Sequence, residues 1–351
     1  MLGLNRNIWI LALAQPFALS LSPAIVLISG FIGTQLAPAH ALATLPLSMM
    51  VVGVTLGAMP AAFFMQRYGR KKVFLSAMLI MMLAGLISAL GIWLHSFILF
   101  LLGVTITGMS LAAVQQFRFA AIEQVDTPAL SSRAVSVLML GNVAAPSTDT
   151  VVTQKKKQPV NWRDILSRPA FILAVAAATI GYGVMSFVMT ATPLAMHEMT
   201  GHSLESTKWV IQSHIMAMFL PSFITGELIR KWGETRIIFI GLLAYLGTTA
   251  FAFSGVEVFH YWWALVLLGV GWNFLFIGGT TLLSKTYTAE EKFSVQAAND
   301  MTVFVFQALS SLSAGAILFI SGWHGIVIMS LVPTALLLLG LLLMVKNSVL
   351  C

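Results

Sequence analysis

Only 9% of the 351 residues are charged, so the few polar side chains inside long apolar runs are the ones that could do chemistry. Gln15, Tyr182, Gln212, His214, Trp272 and Asn273 are such residues. Aromatic faces with a few amides suit a planar organic molecule, whose ring is buried while its edge is fixed by hydrogen bonds. These six are the candidate solute contacts. Two acids, Glu227 and Asp300, fall near the ends of apolar runs. Ionisable groups at membrane depth are costly and mark ion or proton paths, so both are candidate coupling residues; the competing reading is a helix-end anchor. Histidine changes charge near neutral pH, so His214 could carry a proton or simply bond a neighbouring helix. Arg118, beside Gln115 and Gln116, could hold an anion or snorkel to the interface.

Catalytic readings fare worse. His197 and His202 in "HEMTGH" are five apart, whereas two zinc ligands on one helical face stand four apart. There is no Gly-x-Ser-x-Gly turn and no phosphate-binding Gly-rich loop with lysine. The residues therefore predict no enzyme, no cofactor and no metal.

Composition says what must carry the candidate groups. The chain is 58% hydrophobic with mean hydropathy +0.92, and a water-soluble surface needs about 25% charged residues. Most of it must be solvated by lipid. The net charge of +7 would suit nucleic acid only on a soluble basic face, and the sequence has none. The single cysteine, Cys351, excludes an internal disulfide. A membrane helix needs about 20 apolar residues, and spans are expected near 8–33, 42–65, 73–94, 97–117, 169–194, 208–229, 236–254, 261–284, 295–320 and 323–345. The first run is too long for the h-region of a signal peptide and reads as a retained helix. The apolar stretch 134–146 is too short to match the others. Trp262 and Trp263, at a helix end, read as an interfacial belt.

Charge placement orients the spans. Lys and Arg favour cytoplasmic loops. With the N-terminus inside, "QRYGRKK" at 66–72, the tract Lys155–Lys157 and all other basic residues but Lys208 fall on that side. All histidines but His214 fall on the other. The chain also repeats. "RYGRKK" is echoed by "KWGETR", with Gly69 and Gly233 164 positions apart, and "LLGV" at 101 recurs at 267, 166 positions on. Parallel duplicated halves with a site between them form a transporter architecture. A channel would instead need a repeated filter motif. With no nucleotide site, transport would follow a gradient.

These features resemble the major facilitator superfamily. Its motif Gly-x-Leu-Ala-Asp-Arg-x-Gly-Arg-Lys is matched in "AFFMQRYGRKK" by Arg67, Gly69, Arg70 and Lys71, and in "GELIRKWGETR" by Gly226, Leu228, Lys231 and Gly233. "QQFRFAA", "GWNFLFIGGTTLL" and "QAANDMTVF" are similar to a bacterial subgroup that includes a proposed riboflavin transporter. The resemblance implies an all-α polytopic membrane protein of two pseudo-symmetric helix bundles. It implies a small-molecule solute, a coupling proton, alternating access, a monomer and a plasma-membrane location, bacterial cytoplasmic in this subgroup. It also implies a gate in which the motif's acid braces the start of the span at 295–320 and its arginine meets a carboxylate after the span at 97–117. Here the acid is Gln66 and the first glycine is Ala62; Glu123 and Asp126 stand where the arginine's partner belongs.

One half is short. After "LLGV" at 267 come two further spans; after "LLGV" at 101 comes only 134–146, then polar "STDTVVTQKKKQPVNWRD". Both halves carry inside signals in the same order, so an even number of crossings separates them. The segment 134–146 is expected not to span, leaving an N-terminal bundle at 1–146, a cytoplasmic loop at 147–168 and a six-span bundle at 169–351. Weak transport follows, or an inactive transporter-like remnant.

Overall fold

The computed structural model describes residues 45–116 and 161–346, with scattered positions between 32 and 42 and Phe119. The expected first span apart from its last two residues, the stretch 134–146 and the tract at 155–157 lie outside the described residues. The described chain is helical. In hydrocarbon every backbone N–H and C=O must be satisfied within the segment, and an apolar run therefore coils. The helices are α1 Leu45–Tyr68, α2 Arg70–Trp93, α3 Phe97–Gln115, α4 Trp162–Ser167, α5 Pro169–Leu194 with a π-helical turn at Ala195–Met199, α6 Leu204–Phe219, α7 Ser222–Trp232, α8 Glu234–Ser254, α9 Val258–Ser284 and α10 Lys292–Lys346. Seven of them, α1, α2, α3, α5, α8, α9 and α10, are long and apolar enough to cross a bilayer.

Among the described residues the expected spans from 42–65 onward are helical, with two differences. The run 208–229 is not one helix: it breaks at Leu220 and Pro221 into α6 and α7, because proline has no N–H to continue the ladder. The runs 295–320 and 323–345 form one element, α10, bent at Gly322, which has φ 66 and ψ −172. Helix ends also run past the expected ones. Apolarity stops before Gln66, yet α1 continues to Tyr68, since long polar side chains reach the interface from inside a helix.

Glycine, not charge, ends that helix. Gly69 has φ 82 and ψ 155, a region essentially open to glycine alone. Gly233, its counterpart in the second half, has φ 81 and ψ 161. The bonds match too: Gly69 N–H donates to Met65 O and Gly233 N–H to Ile229 O, and each glycine's carbonyl accepts from the residue four ahead. The same turn built twice gives the sequence echo a physical basis. The "LLGV" echo is looser. Gly103 packs against Ala84 and Ser88 of α2, whereas Gly269 packs against His214 and Met218 of α6.

Contacts divide the chain into two compact units, one of residues 1–168 and 284–305, the other of 169–283 and 306–351. In the first, α1 and α3 touch backbone to backbone: a Cβ on Gly53 would collide with Thr105 O, and one on Gly108 with Met50 O. Of α1, α2 and α3, helix α2 is the least buried, with Leu79, Met82, Leu83, Leu86 and Trp93 exposed, as lipid-facing side chains are. In the second unit α5 and α9 are buried along most of their length.

Candidate functional site

In the second unit α5 and α9 bring aromatic rings together. Gly279 lies against Ala174 and Ala178, and Gly181 against Leu275, which sets the two helices antiparallel. Trp272 and Phe276, one turn apart on α9 and hence on one face, stack at 5.0 Å and 13°. Tyr182 meets both edge-on, at 5.2 and 5.1 Å, and Phe219 meets Trp272 edge-on at 5.9 Å. Tyr245 OH donates to Gly181 O at 2.6 Å and pins α8 to α5. The Trp272 Nε1–H and the Thr179 hydroxyl are buried and make no hydrogen bond among the described residues. Buried donors normally have partners, and no described residue supplies one to this indole N–H. Phe276 and Phe219 were not among the sequence candidates; the spacing of four from Trp272 was the available signal for Phe276.

Asn273 is on another face of α9 and does other work. Its Nδ2 donates to Met218 O and to Ser222 Oγ, both at 2.7 Å, and its Oδ1 accepts from Thr225 Oγ1 at 2.7 Å. These partners bracket the break at Pro221, where the helical ladder no longer serves the Met218 carbonyl. Asn273 thus clamps the two helices of a broken span, and both its amide hydrogens are engaged. His214 is fully buried on α6, with Nδ1 bonded to Leu265 O at 2.8 Å; it ties α6 to α9. Gln212 is exposed on α6, and Gln15 lies outside the described residues.

In the first unit the start of α2 and the residue after α3 meet the start of α10. Arg70 donates from Nη1 to Gln116 O and from Nη2 to Gln296 Oε1, each at 3.3 Å, and its guanidinium lies 5.4 Å from the Phe293 ring centre. Gln116 Nε2 donates to Asp300 Oδ2 at 2.5 Å, and Asn299 Nδ2 to Oδ1 at 3.0 Å. Asp300 is fully buried. Higher in the unit, Thr55 Oγ1 donates to Phe304 O at 2.8 Å. Arg70 is a motif arginine that reaches α10. Arg67 is exposed and lies over the Tyr68 ring; Lys71 is exposed, Gln66 half-buried, and Glu123, Asp126 and Arg118 lie outside the described residues. Gln116, read from the sequence only as a companion of Arg118, is a centre of the cluster. The second motif differs in character. Gly226 is buried, while Glu227 pairs with Arg230 and Lys231 along the half-exposed end of α7. Such exposed pairs contribute about 0–1 kcal/mol, whereas the Asp300 carboxylate is enclosed by the amides of Gln116 and Asn299. His197 and His202 point ring nitrogens at main-chain carbonyls, of His202 and Val256.

Apolar helices of membrane length define a multi-pass membrane protein, and its relatives make it a transporter. The chain belongs to the major facilitator superfamily. Residues 18–144 match the family "Sugar (and other) transporter". The riboflavin transporter RfnT of Brucella anthropi is 36% identical, the match covering 97% of this chain and 96% of that protein. The MFS-type transporter YdeG of Bacillus subtilis is 27% identical, covering 89% and 85%. Among solved structures, the Escherichia coli fucose:proton symporter FucP has a TM-score of 0.62 at 14% identity, covering 95% of each chain. The human organic anion transporter MFSD10 has 0.65 at 12% identity, covering 95% and 96%. At that identity the likeness is one of fold. The match to RfnT occupies 387 positions, while 97% of this chain is about 340 residues, so about 47 positions of the match face no residue here. That is the length of two spans at about 20 residues each.

Proposed function

We propose that the chain is a secondary transporter of riboflavin or a closely related flavin, working as a monomer in the bacterial cytoplasmic membrane with its N-terminus inside. The observation that carries this reading is the 36% identity to a riboflavin transporter across 97% of the chain. The Tyr182–Trp272–Phe276 cluster supports it: a flavin offers a flat ring to stack and carbonyl oxygens for the Trp272 N–H, which has no partner among the described residues. We assign the cluster of Arg70, Gln116, Gln296, Asn299 and Asp300 to the cytoplasmic gate of an alternating-access cycle, with Gly69 and Gly233 as its fixed turns. Asp300 is the coupling candidate. As a carboxylate it accepts from two amides; a proton on it turns an acceptor into a donor, breaks one of those bonds and loosens the closed gate.

A slow or inactive form is the second reading, favoured by the 47 unmatched positions. The bundle boundaries at 146 and 168 and a non-spanning 134–146 belong to the same proposal. The test is counterflow in proteoliposomes preloaded with unlabelled riboflavin. Labelled riboflavin should accumulate transiently above protein-free liposomes, and excess riboflavin but not glucose should abolish the signal. No counterflow from this chain or from a form with the missing spans supplied would reject the flavin assignment.

A further inference from the structure

We propose that Tyr245 is the positioning residue of the ring site: one side chain on α8 fixes the two backbone points from which Tyr182 and Trp272 project. The proposal rests on the reading of Tyr182, Trp272 and Phe276 as the solute site. Tyr245 is fully buried, and its ring lies in a slot left open by glycine. A Cβ on Gly271 would stand 2.5 and 2.8 Å from two carbons of that ring and 2.9 Å from Gly241 O. A Cβ on Gly241 would stand 3.1 Å from Gly271 O. All four distances are shorter than the separation at which non-bonded carbon atoms attract. Helices α8 and α9 therefore meet backbone to backbone at Gly241 and Gly271, with the Tyr245 ring laid against Gly271. From there the hydroxyl goes on to α5, where it donates to Gly181 O at 2.6 Å.

The two glycines are the residues directly before Tyr182 and Trp272. Tyr245 thus touches the chain one residue ahead of each ring of the pair that meets edge-on at 5.2 Å. An aromatic pair is weak and tolerates a broad range of separations, so it does not by itself fix the helices that carry it. A binding site needs its contact groups held to within about 0.5 Å by the residues behind them. Phenylalanine would fill the slot beside Gly271 equally well. What the hydroxyl adds is a bond with a preferred length and direction, which sets how α5 stands against α9 and so how Tyr182 faces Trp272. A carbonyl oxygen has two lone pairs, so this bond is additional to the helical one at Gly181 O. Trp323 gives a contrast on the same helix. Its buried indole N–H donates to Ala252 O of α8 at 3.2 Å, but neither residue adjoins a ring of the site in sequence.

The test combines two measurements on the purified full chain in detergent. One is riboflavin binding by fluorescence quenching. The other is fluorine NMR of the chain carrying fluorotryptophan, without solute, the Trp272 resonance being identified by its loss in Trp272→Phe. Tyr245→Phe keeps the ring that fills the slot, so the chain should fold. It should weaken riboflavin binding about fivefold, which is ~1 kcal/mol, and move the Trp272 resonance by more than its linewidth. Trp323→Phe, which also removes a buried hydrogen bond to α8, should bind within about twofold of the parent, as a site with no shared partner does, and leave that resonance in place. An unmoved resonance or parent-like binding in Tyr245→Phe, or an equal loss of binding in Trp323→Phe, would overturn the positioning role. A parent chain without saturable quenching would reject the flavin site instead, and the Trp272 resonance then decides on Tyr245 alone.

Discussion

Two membrane spans supplied after Ala145 are expected to raise the initial rate of riboflavin uptake at least tenfold over that of the 351-residue chain. The insert should be the 45–55 residues that a full-length relative carries there, enough for two crossings at about 20 residues each. One observation places the insertion and two are compatible with it. The second half has two spans after its "LLGV" and the first half has one short stretch. The match to RfnT leaves about 47 positions unpaired. The inside signals on both sides of 134–146 require an even number of crossings. Without the two spans, helices of the first bundle expose faces that neighbours should cover, and each polar group left unsatisfied in hydrocarbon costs several kcal/mol. Uptake by the 351-residue chain as fast as that of the repaired one would show that the first bundle is complete as it stands.

Asn273→Ala should be among the most destabilising single changes in the second unit. It strands Met218 O and Ser222 Oγ, both buried at the Pro221 break, while Thr225 Oγ1 keeps its bond to Pro221 O. A buried group that loses its partner costs about 1–3 kcal/mol, so the change should total ~2–5 kcal/mol. In detergent, the midpoint of thermal unfolding should fall by roughly 5 °C or more. Gln212→Ala, at an exposed position, should stay within about 0.5 kcal/mol. A melting point for Asn273→Ala equal to that of Gln212→Ala would remove the clamp.

The sequence made the architecture legible because lipid imposes a coarse rule: a run of apolar residues long enough to cross has one way to satisfy its backbone. The turn at Gly69 was legible for a second reason, since a repeated glycine marks a conformation no other residue adopts easily. Side-chain commitments were harder. Trp272 and Tyr182 were picked out as aromatic residues at depth, and they do meet. Asn273, next to Trp272, looked equivalent, but a step of one residue turns a helix by about 100° and sent it to a helix break that Pro221 alone had hinted at. Arg67 fitted the family's motif letter by letter, and its expected partners Glu123 and Asp126 lie outside the described residues; that Arg70 reaches Gln116 and Gln296 was not legible, because it depends on how α1 and α2 leave Gly69. Gln116 and Gln296 are unremarkable as letters; only a fold that brings residues 116 and 296 to one level shows their role.

The most direct test of the central claim is equilibrium binding, which needs neither an open gate nor a complete first bundle. Riboflavin fluorescence is quenched when its ring stacks on an aromatic side chain. Titrating riboflavin with the purified chain in detergent should give saturable quenching that excess non-fluorescent flavin analogue reverses. Trp272→Phe, which keeps a ring but removes the N–H, should weaken binding about 5- to 10-fold, as the loss of one buried hydrogen bond of ~1 kcal/mol implies. Trp262→Phe should bind as the parent does. No saturable quenching, or equal binding by the Trp272 and Trp262 variants, would contradict a flavin site built on Tyr182, Trp272 and Phe276.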